Sequence, residues 1–382
     1  MPTLPPIRLT HAQSLMGGQL VDHPVTVAEG LIATGAAPEV NLGGYYLLPG
    51  IVDLHGDGFE RHLSPRPSAP FEPKMALASA AAELAVNGVT TAWFAQSWSW
   101  EGGFRSGAAC DSLLAALAQV RGQILPDVRV QIRLETHLTD QHDAVRAAVA
   151  RYGVDYVVFN NHLPEALEMA QNRADRFAQW AAQTSRSHAE MLAIVNGASA
   201  QDPQVPEALA RIAAEFAVHG VRMGSHDDGD AETRAYYRGI GAAICEFPTS
   251  FAAAEAAHAA GEPVLMGAPN VVRGGSQSGN IAAQDLVEAG LCDALVSDYY
   301  YPALAQAAWA LVERGVCDLA TAWPMISTAP ARIAGLGDRG GLGAGQRADL
   351  VAVNMETHRV EMTLCAGRVA HLSGALARRF WT

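Results

Sequence analysis

Between Gly50 and Ser297 the chain repeats one alternation: a short run of β-branched and aliphatic residues, then a longer Ala- and Leu-rich stretch with scattered charge. Few architectures accept that pattern. Short apolar runs bounded by turns read as strands buried on both faces, and a helical segment between consecutive runs makes a βαβ unit whose strands lie parallel. Strands are expected at 50–55, 89–94, 128–136, 156–160, 221–225, 242–247, 264–268 and 294–297. Helices are expected at 75–87, 112–123, 141–151, 165–182, 206–219 and 284–290, with Asn87-Gly88 and His219-Gly220 as stops. Eight such units predict an α/β fold, a (β/α)8 TIM-like barrel over 50–339. Short β-rich stretches flank it at 7–46, 349–353 and 361–365, so a small composite β domain is expected from both chain ends, 1–49 and 340–382.

In barrels of this kind chemistry sits at the carboxyl ends of the strands. His55 and Asp57 follow the first strand, two residues apart and so on one face of an extended chain. Glu135 and His137 end the third, His162 follows the fourth, His226, Asp227 and Asp228 end the fifth, and Asp298 ends the eighth. Imidazoles and carboxylates converging at one rim suit a divalent metal, zinc above all, with manganese or iron accepted by the same donors. Such a site performs hydrolysis, with Asp298 placed to move a proton. Simpler roles exist: His55 and Asp57 as a hydrogen-bonded pair, and Asp298 or Ser297 as the cap of the next helix. His142, His188, His219 and His258 read as solvated.

A net charge of −13 argues against nonspecific binding to nucleic acid or an anionic membrane. No uncharged apolar run reaches membrane-spanning length, and the N-terminus lacks a signal-peptide pattern, so a soluble, cytoplasmic protein is expected. The five cysteines are scattered, without Cys-x-x-Cys spacing, which disfavours a disulfide framework or a thiolate zinc site. Lys74 is the sole lysine among 26 basic residues and precedes the second strand. No later strand can therefore supply a carboxylated lysine between two ions, and a bridging ligand has to be a carboxylate side chain.

The opening Leu48-Pro49-Gly50-Ile51-Val52-Asp53-Leu54-His55, the strand-end histidines, Asp298 and the closing Gly345-Gln346-Arg347-Ala348-Asp349-Leu350-Val351 together resemble the amidohydrolase superfamily. Within it the chain is similar to the phosphonate-degradation branch, the PhnM-like α-D-ribose 1-methylphosphonate 5-triphosphate diphosphatases. The motifs are Ser64-Pro65-Arg66-Pro67, Ser225-His226-Asp227-Asp228, Glu246-Phe247-Pro248-Thr249, the block from Met266 to Ser276, Ser278-Gly279-Asn280 and Ser297-Asp298-Tyr299-Tyr300. The resemblance implies one or two divalent ions held by His55, Asp57, Glu135, His162, His226 and Asp298, with Glu135 as bridge and Asp298 as acid/base. It implies release of diphosphate from the triphosphate arm of a phosphorylated ribose. Arg66 and Arg273 would hold anionic oxygens, and Gly274, Gly275, Ser276 and Asn280 would form a phosphate loop. Departures from the branch are Gly56-Asp57-Gly58 after the first histidine, Gln277 in place of a loop histidine, a shortened segment after His162, and the Trp93, Trp98, Trp100 cluster. Rival readings are a hydrolase of cyclic amides, N-acyl groups or amines, and a noncatalytic metal-binding barrel. The expected partner is a small phosphorylated molecule, and a homo-oligomer is compatible with the sequence.

Overall fold

The structure, a computed structural model, describes residues 3–66, 69–184, 186–276 and 279–380. Its central sheet holds eight parallel strands in chain order. They are β1 (Ile51–Gly56), β2 (Val89–Trp98), β3 (Asp127–Glu135), β4 (Tyr156–Asn160), β5 (Arg222–His226), β6 (Ile244–Glu246), β7 (Val264–Gly267) and β8 (Ala294–Val296). A parallel bridge from Gly56 to Asp298 joins the first strand to the end of the last, and the sheet becomes a (β/α)8 barrel. Every position of β1, β2, β4, β6, β7 and β8 is buried, because helices cover the outside and strand side chains fill the inside.

The join between β1 and β8 is made by polar groups held out of water. The buried Asp53 carboxylate accepts from the Ser297 N–H at 3.0 Å and from its hydroxyl at 2.6 Å. Asp298 N–H donates to the His55 carbonyl at 2.9 Å, and Asp57 N–H donates to the Asp298 carbonyl at 2.8 Å. Gly56 is required by this close approach: a Cβ there would stand 2.5 Å from Ser297 Oγ and 2.7 Å from Asp53 Oδ2.

Between β2 and β3 lies helix Gly107–Val120 and no further strand, so His162 and His226 do follow the fourth and fifth strands. The helix expected at 165–182 is two, Leu163–Asn172 and Ala174–Gln183, divided where Arg173 leaves helical geometry at φ −139°. A third helix, His188–Ser199, starts from a Ser187–Glu190 capping box. This helical insertion packs over the end of β2, where Trp100 meets Trp180 edge-on at 5.8 Å. Trp98 and Trp100 are buried. His142, expected in solvent, is buried as well.

Both chain ends build the second β layer. A six-stranded sheet runs Arg368–Leu372, Val360–Cys365, Leu350–Asn354, Tyr45–Pro49, Gln13–Met16, Gln19–Asp22, its centre being the antiparallel pairing of Leu350–Asn354 with Tyr45–Pro49. A four-stranded sheet of Leu31–Ala33, Val25–Ala28, Ile7–Thr10 and Glu39–Asn41 lies in the N-terminal part. A separate apolar core including Leu9, Val27, Leu47, Leu350 and Leu364 holds these strands together. Tyr45–Pro49 runs directly into β1, which ties this layer to the strand carrying His55. No helix among the described residues is long and apolar enough to cross a membrane.

Candidate active site

A cavity of about 760 Å³ opens at the carboxyl ends of the strands. Asp57, His162, His226 and Asp298 line it, with Arg105, Arg133, Arg273, Gly275, Ser276 and Asn280. Another hollow, of about 700 Å³, lies at the opposite end of the barrel beside the Arg146–Glu215 ion pair and receives none of the strand-end residues.

His55 and Glu135 stand just behind the cavity wall, and each belongs to a separate cluster of donors. In the first cluster, ligand atoms of His55, His226 and Glu246 lie within 4.8 Å of one another. The His55 ring donates from Nδ1 to Glu246 Oε2 at 2.7 Å, an assignment that follows from the partner being a carboxylate. The other Glu246 oxygen accepts from Tyr156 Oη at 2.5 Å and Gln131 Nε2 at 2.7 Å. Burial pushes the Glu246 carboxyl up, but the charge and hydrogen bond of His55, with His226 and the Tyr156 hydroxyl, together outweigh it and the net shift is downward. His226 packs against His55 with ring centroids 5.3 Å apart, and burial pulls its pKa down.

The second cluster is Glu101, Glu135 and His162, again with ligand atoms within 4.8 Å. Glu135 Oε1 accepts from His162 Nδ1 at 2.7 Å and from Asn160 Nδ2 at 2.8 Å. Burial lowers the His162 pKa, yet the hydrogen bond and charge of Glu135 raise it further than burial lowers it. Glu101 Oε1 lies 4.0 Å from His162 Nδ1, with Arg105 Nη1 and Trp180 Nε1 donating to its other oxygen.

Asp57 and Asp298 face the cavity in neither cluster. Burial and, after it, the negative charge of Asp57 push the Asp298 carboxyl up to about 6. Its backbone sits at φ +54°, a left-handed conformation uncommon outside glycine. Asp298 caps no helix: the next one, Ala303–Glu313, begins at Pro302 with no side-chain cap.

Of the expected phosphate-binding residues, Arg273, Gly275, Ser276 and Asn280 line the cavity. Gly274 does not; it closes helix Ala268–Arg273 at φ +77°, the left-handed residue such an ending uses. Arg66 is exposed on the loop after helix Glu60–Leu63, outside the lining. Pro67, Gln277 and Ser278 lie outside the described residues. Four polar residues of the site were missed in the sequence, among them Arg105 on the turn after β2. Glu246 ends β6 as His226 ends β5, but its motif was read only for resemblance. Glu101 follows β2 among tryptophans. Arg133 belongs to Gln131, Arg133 and Glu135, an alternation that aims all three toward one face of β3.

Two clusters of imidazole and carboxylate donors thus gather at the mouth of the barrel, each with the composition of a candidate divalent-ion site. The chain belongs to the Amidohydrolase family, whose model matches residues 58–371. It is 32% identical over 333 residues to the α-D-ribose 1-methylphosphonate 5-triphosphate diphosphatase of Escherichia coli (strain K12), covering 84% of this chain and 86% of that one. Solved structures with the same fold include the β-aspartyl dipeptidase of Fervidobacterium islandicum AW-1, at TM-score 0.64, 14% identity and 97% coverage of both chains. The A. niger ochratoxinase aligns at TM-score 0.65 and 14% identity, over 98% of this chain and 97% of its own.

Proposed function

We propose that this chain is a metal-dependent diphosphatase acting on the triphosphate arm of a ribose 1-alkylphosphonate 5-triphosphate or a closely related phosphorylated compound. The observation that carries the reading is the match to the diphosphatase over more than four fifths of both chains, joined to a cavity lined by both carboxylates and arginines. The donor sets fit divalent ions: both mix imidazole nitrogen with carboxylate oxygen, the combination zinc favours and manganese or iron accepts. His55 and His226 would hold an ion on one side, and Glu101, Glu135 and His162 on the other, with Asp57 and Asp298 facing the same space. Bound there, a divalent ion supplies Lewis acidity toward a phosphoryl oxygen and makes water more acidic.

The chain's own groups then have defined tasks. Glu246 accepts a hydrogen bond from the Nδ1–H of His55, which leaves Nε2 as the ring atom with a lone pair to give. Asp298, with its pKa near 6, is mostly ionised at neutral pH and still basic enough to accept a proton from an attacking water. The water oxygen bonds to phosphorus as the anhydride P–O bond breaks, diphosphate departs, and the proton on Asp298 neutralises the leaving group or the new phosphate. Arg273 and the Gly275–Ser276 backbone line the outer cavity, where the far end of the chain of phosphates would lie.

The test is ³¹P NMR of the purified protein with α-D-ribose 1-methylphosphonate 5-triphosphate, with zinc or manganese and after chelation, beside a panel of hydantoins and N-acyl amino acids. Diphosphate release that stops on chelation and returns with the ion is expected. Turnover of the C–N panel alone would replace this reading with an amidase, and a metal-bound protein inert toward both sets would identify a noncatalytic barrel.

A further inference from the structure

Among the described residues three arginines are buried, and two of them are clasped by acids. Arg234 donates to Asp228 at 3.0 Å and has Glu262 at 3.2 Å, and Arg339 donates to Asp338 and to Asp127, each at 2.9 Å. The third, Arg133, is 8% exposed and has no such clasp. Among the described residues its one carboxylate within 4.0 Å is Asp57, at 3.7 Å and beyond hydrogen-bonding reach. Its Nη2 meets the neutral acceptor His226 Nε2 at 3.3 Å, and its Nε has no partner. A guanidinium taken out of water without a bonded anion is costly, and the cost persists in a fold where something supplies the anion.

Arg133 also has a specific place. It sits two residues before Glu135 on β3, so both side chains leave the same face of the strand toward the barrel's interior, and it lines the cavity with Asp57, just past the end of β1, and His226, the last residue of β5. Arg105 and Arg273 line the same cavity, but both are already hydrogen-bonded, Arg105 to Glu101 and Arg273 to Tyr299.

Resting on the diphosphatase reading above, we infer that Arg133 is the receptor for the substrate's reacting oxyanion, its planar fork holding two oxygens of the phosphoryl group that water attacks. A charge-assisted fork at this depth is worth enough that its loss weakens anion binding roughly ten- to a hundredfold.

The experiment is calorimetric titration of D-ribose 5-phosphate, which carries the phosphoryl group that water attacks, and separately of succinate, into metal-loaded wild type, Arg133→Lys and Arg133→Met, with metal content and urea midpoint measured on each. The lysine variant keeps the charge and guards against a methionine variant that does not fold. Ribose 5-phosphate binding weakened at least tenfold in Arg133→Met, and less in Arg133→Lys, at unchanged metal content, is expected. Wild-type ribose 5-phosphate affinity in the folded variants overturns the inference and leaves the diphosphatase reading standing. Succinate bound in place of ribose 5-phosphate, and lost with Arg133, sinks the diphosphatase reading but keeps Arg133 as an oxyanion receptor. A wild type that binds neither anion refutes the inference.

Discussion

Glu246 offers the sharpest test of how the barrel interior prepares its imidazoles. Its carboxylate accepts from three buried donors, His55 Nδ1 at 2.7 Å, Gln131 Nε2 at 2.7 Å and Tyr156 Oη at 2.5 Å. Glu246→Ala would strand all three without water to replace it. At roughly 1–3 kcal/mol for each unsatisfied donor the loss is on the order of 3–9 kcal/mol, a large part of the roughly 5–15 kcal/mol by which domains are stable. Glu246→Gln is the more informative change. It keeps the volume and one acceptor oxygen but turns an amide N–H₂ toward a donor, so about 1–3 kcal/mol is expected in urea unfolding. Because His55 then loses the partner that fixes its ring and tautomer, zinc affinity in a chelator competition should fall roughly 10- to 100-fold. A folded Glu246→Gln protein that binds zinc as tightly as wild type would refute the view that Glu246 orients His55.

Asp298→Asn should retain its fold and metal content while the rate of diphosphate release drops roughly 10²- to 10⁴-fold, read by the same ³¹P assay. Glu60 sets a pH dependence of stability: burial, with Arg105 opposing, pushes its carboxyl up to about 7 from an ordinary value of 4.5. Between those values the folded chain keeps a proton that the unfolded chain has released, so stability falls as pH rises from about 4.5 to about 7, by roughly 3 kcal/mol. Urea midpoints of metal-free protein at pH 5 and pH 8 should differ in wild type and converge in Glu60→Gln; parallel profiles for the two proteins would contradict this. Gly56→Ala drives a methyl to within 2.5 Å of Ser297 Oγ at the strand join, and a loss of about 1–3 kcal/mol is expected from overpacking there.

The barrel was legible because its strands are buried on both faces and announce themselves as apolar runs between helix stops; all eight fall where the alternation puts them. The strand-end rule located His55, Glu135, His162, His226 and Asp298 for the same reason. Which of them share a cluster was not legible, since that depends on how strands far apart in the chain tilt their ends around the rim. Glu101 lies past its strand on a loop, outside any periodic signal. Arg133 required knowing which face of β3 looks inward. Short or broken elements escaped as well: the division at Arg173 has no proline or glycine to mark it, and Arg368–Leu372 is a short edge strand with no fully buried position.

The last link in the barrel wall is a single residue pair, Gly56 with Asp298. The same two positions flank His55 and carry the proposed proton acceptor. A chain whose cylinder has not yet shut therefore has its imidazole and its base on two loose ends. Turnover becomes a report on completed folding, and a lesion anywhere that spreads those ends should silence the enzyme before it melts the rest of the molecule.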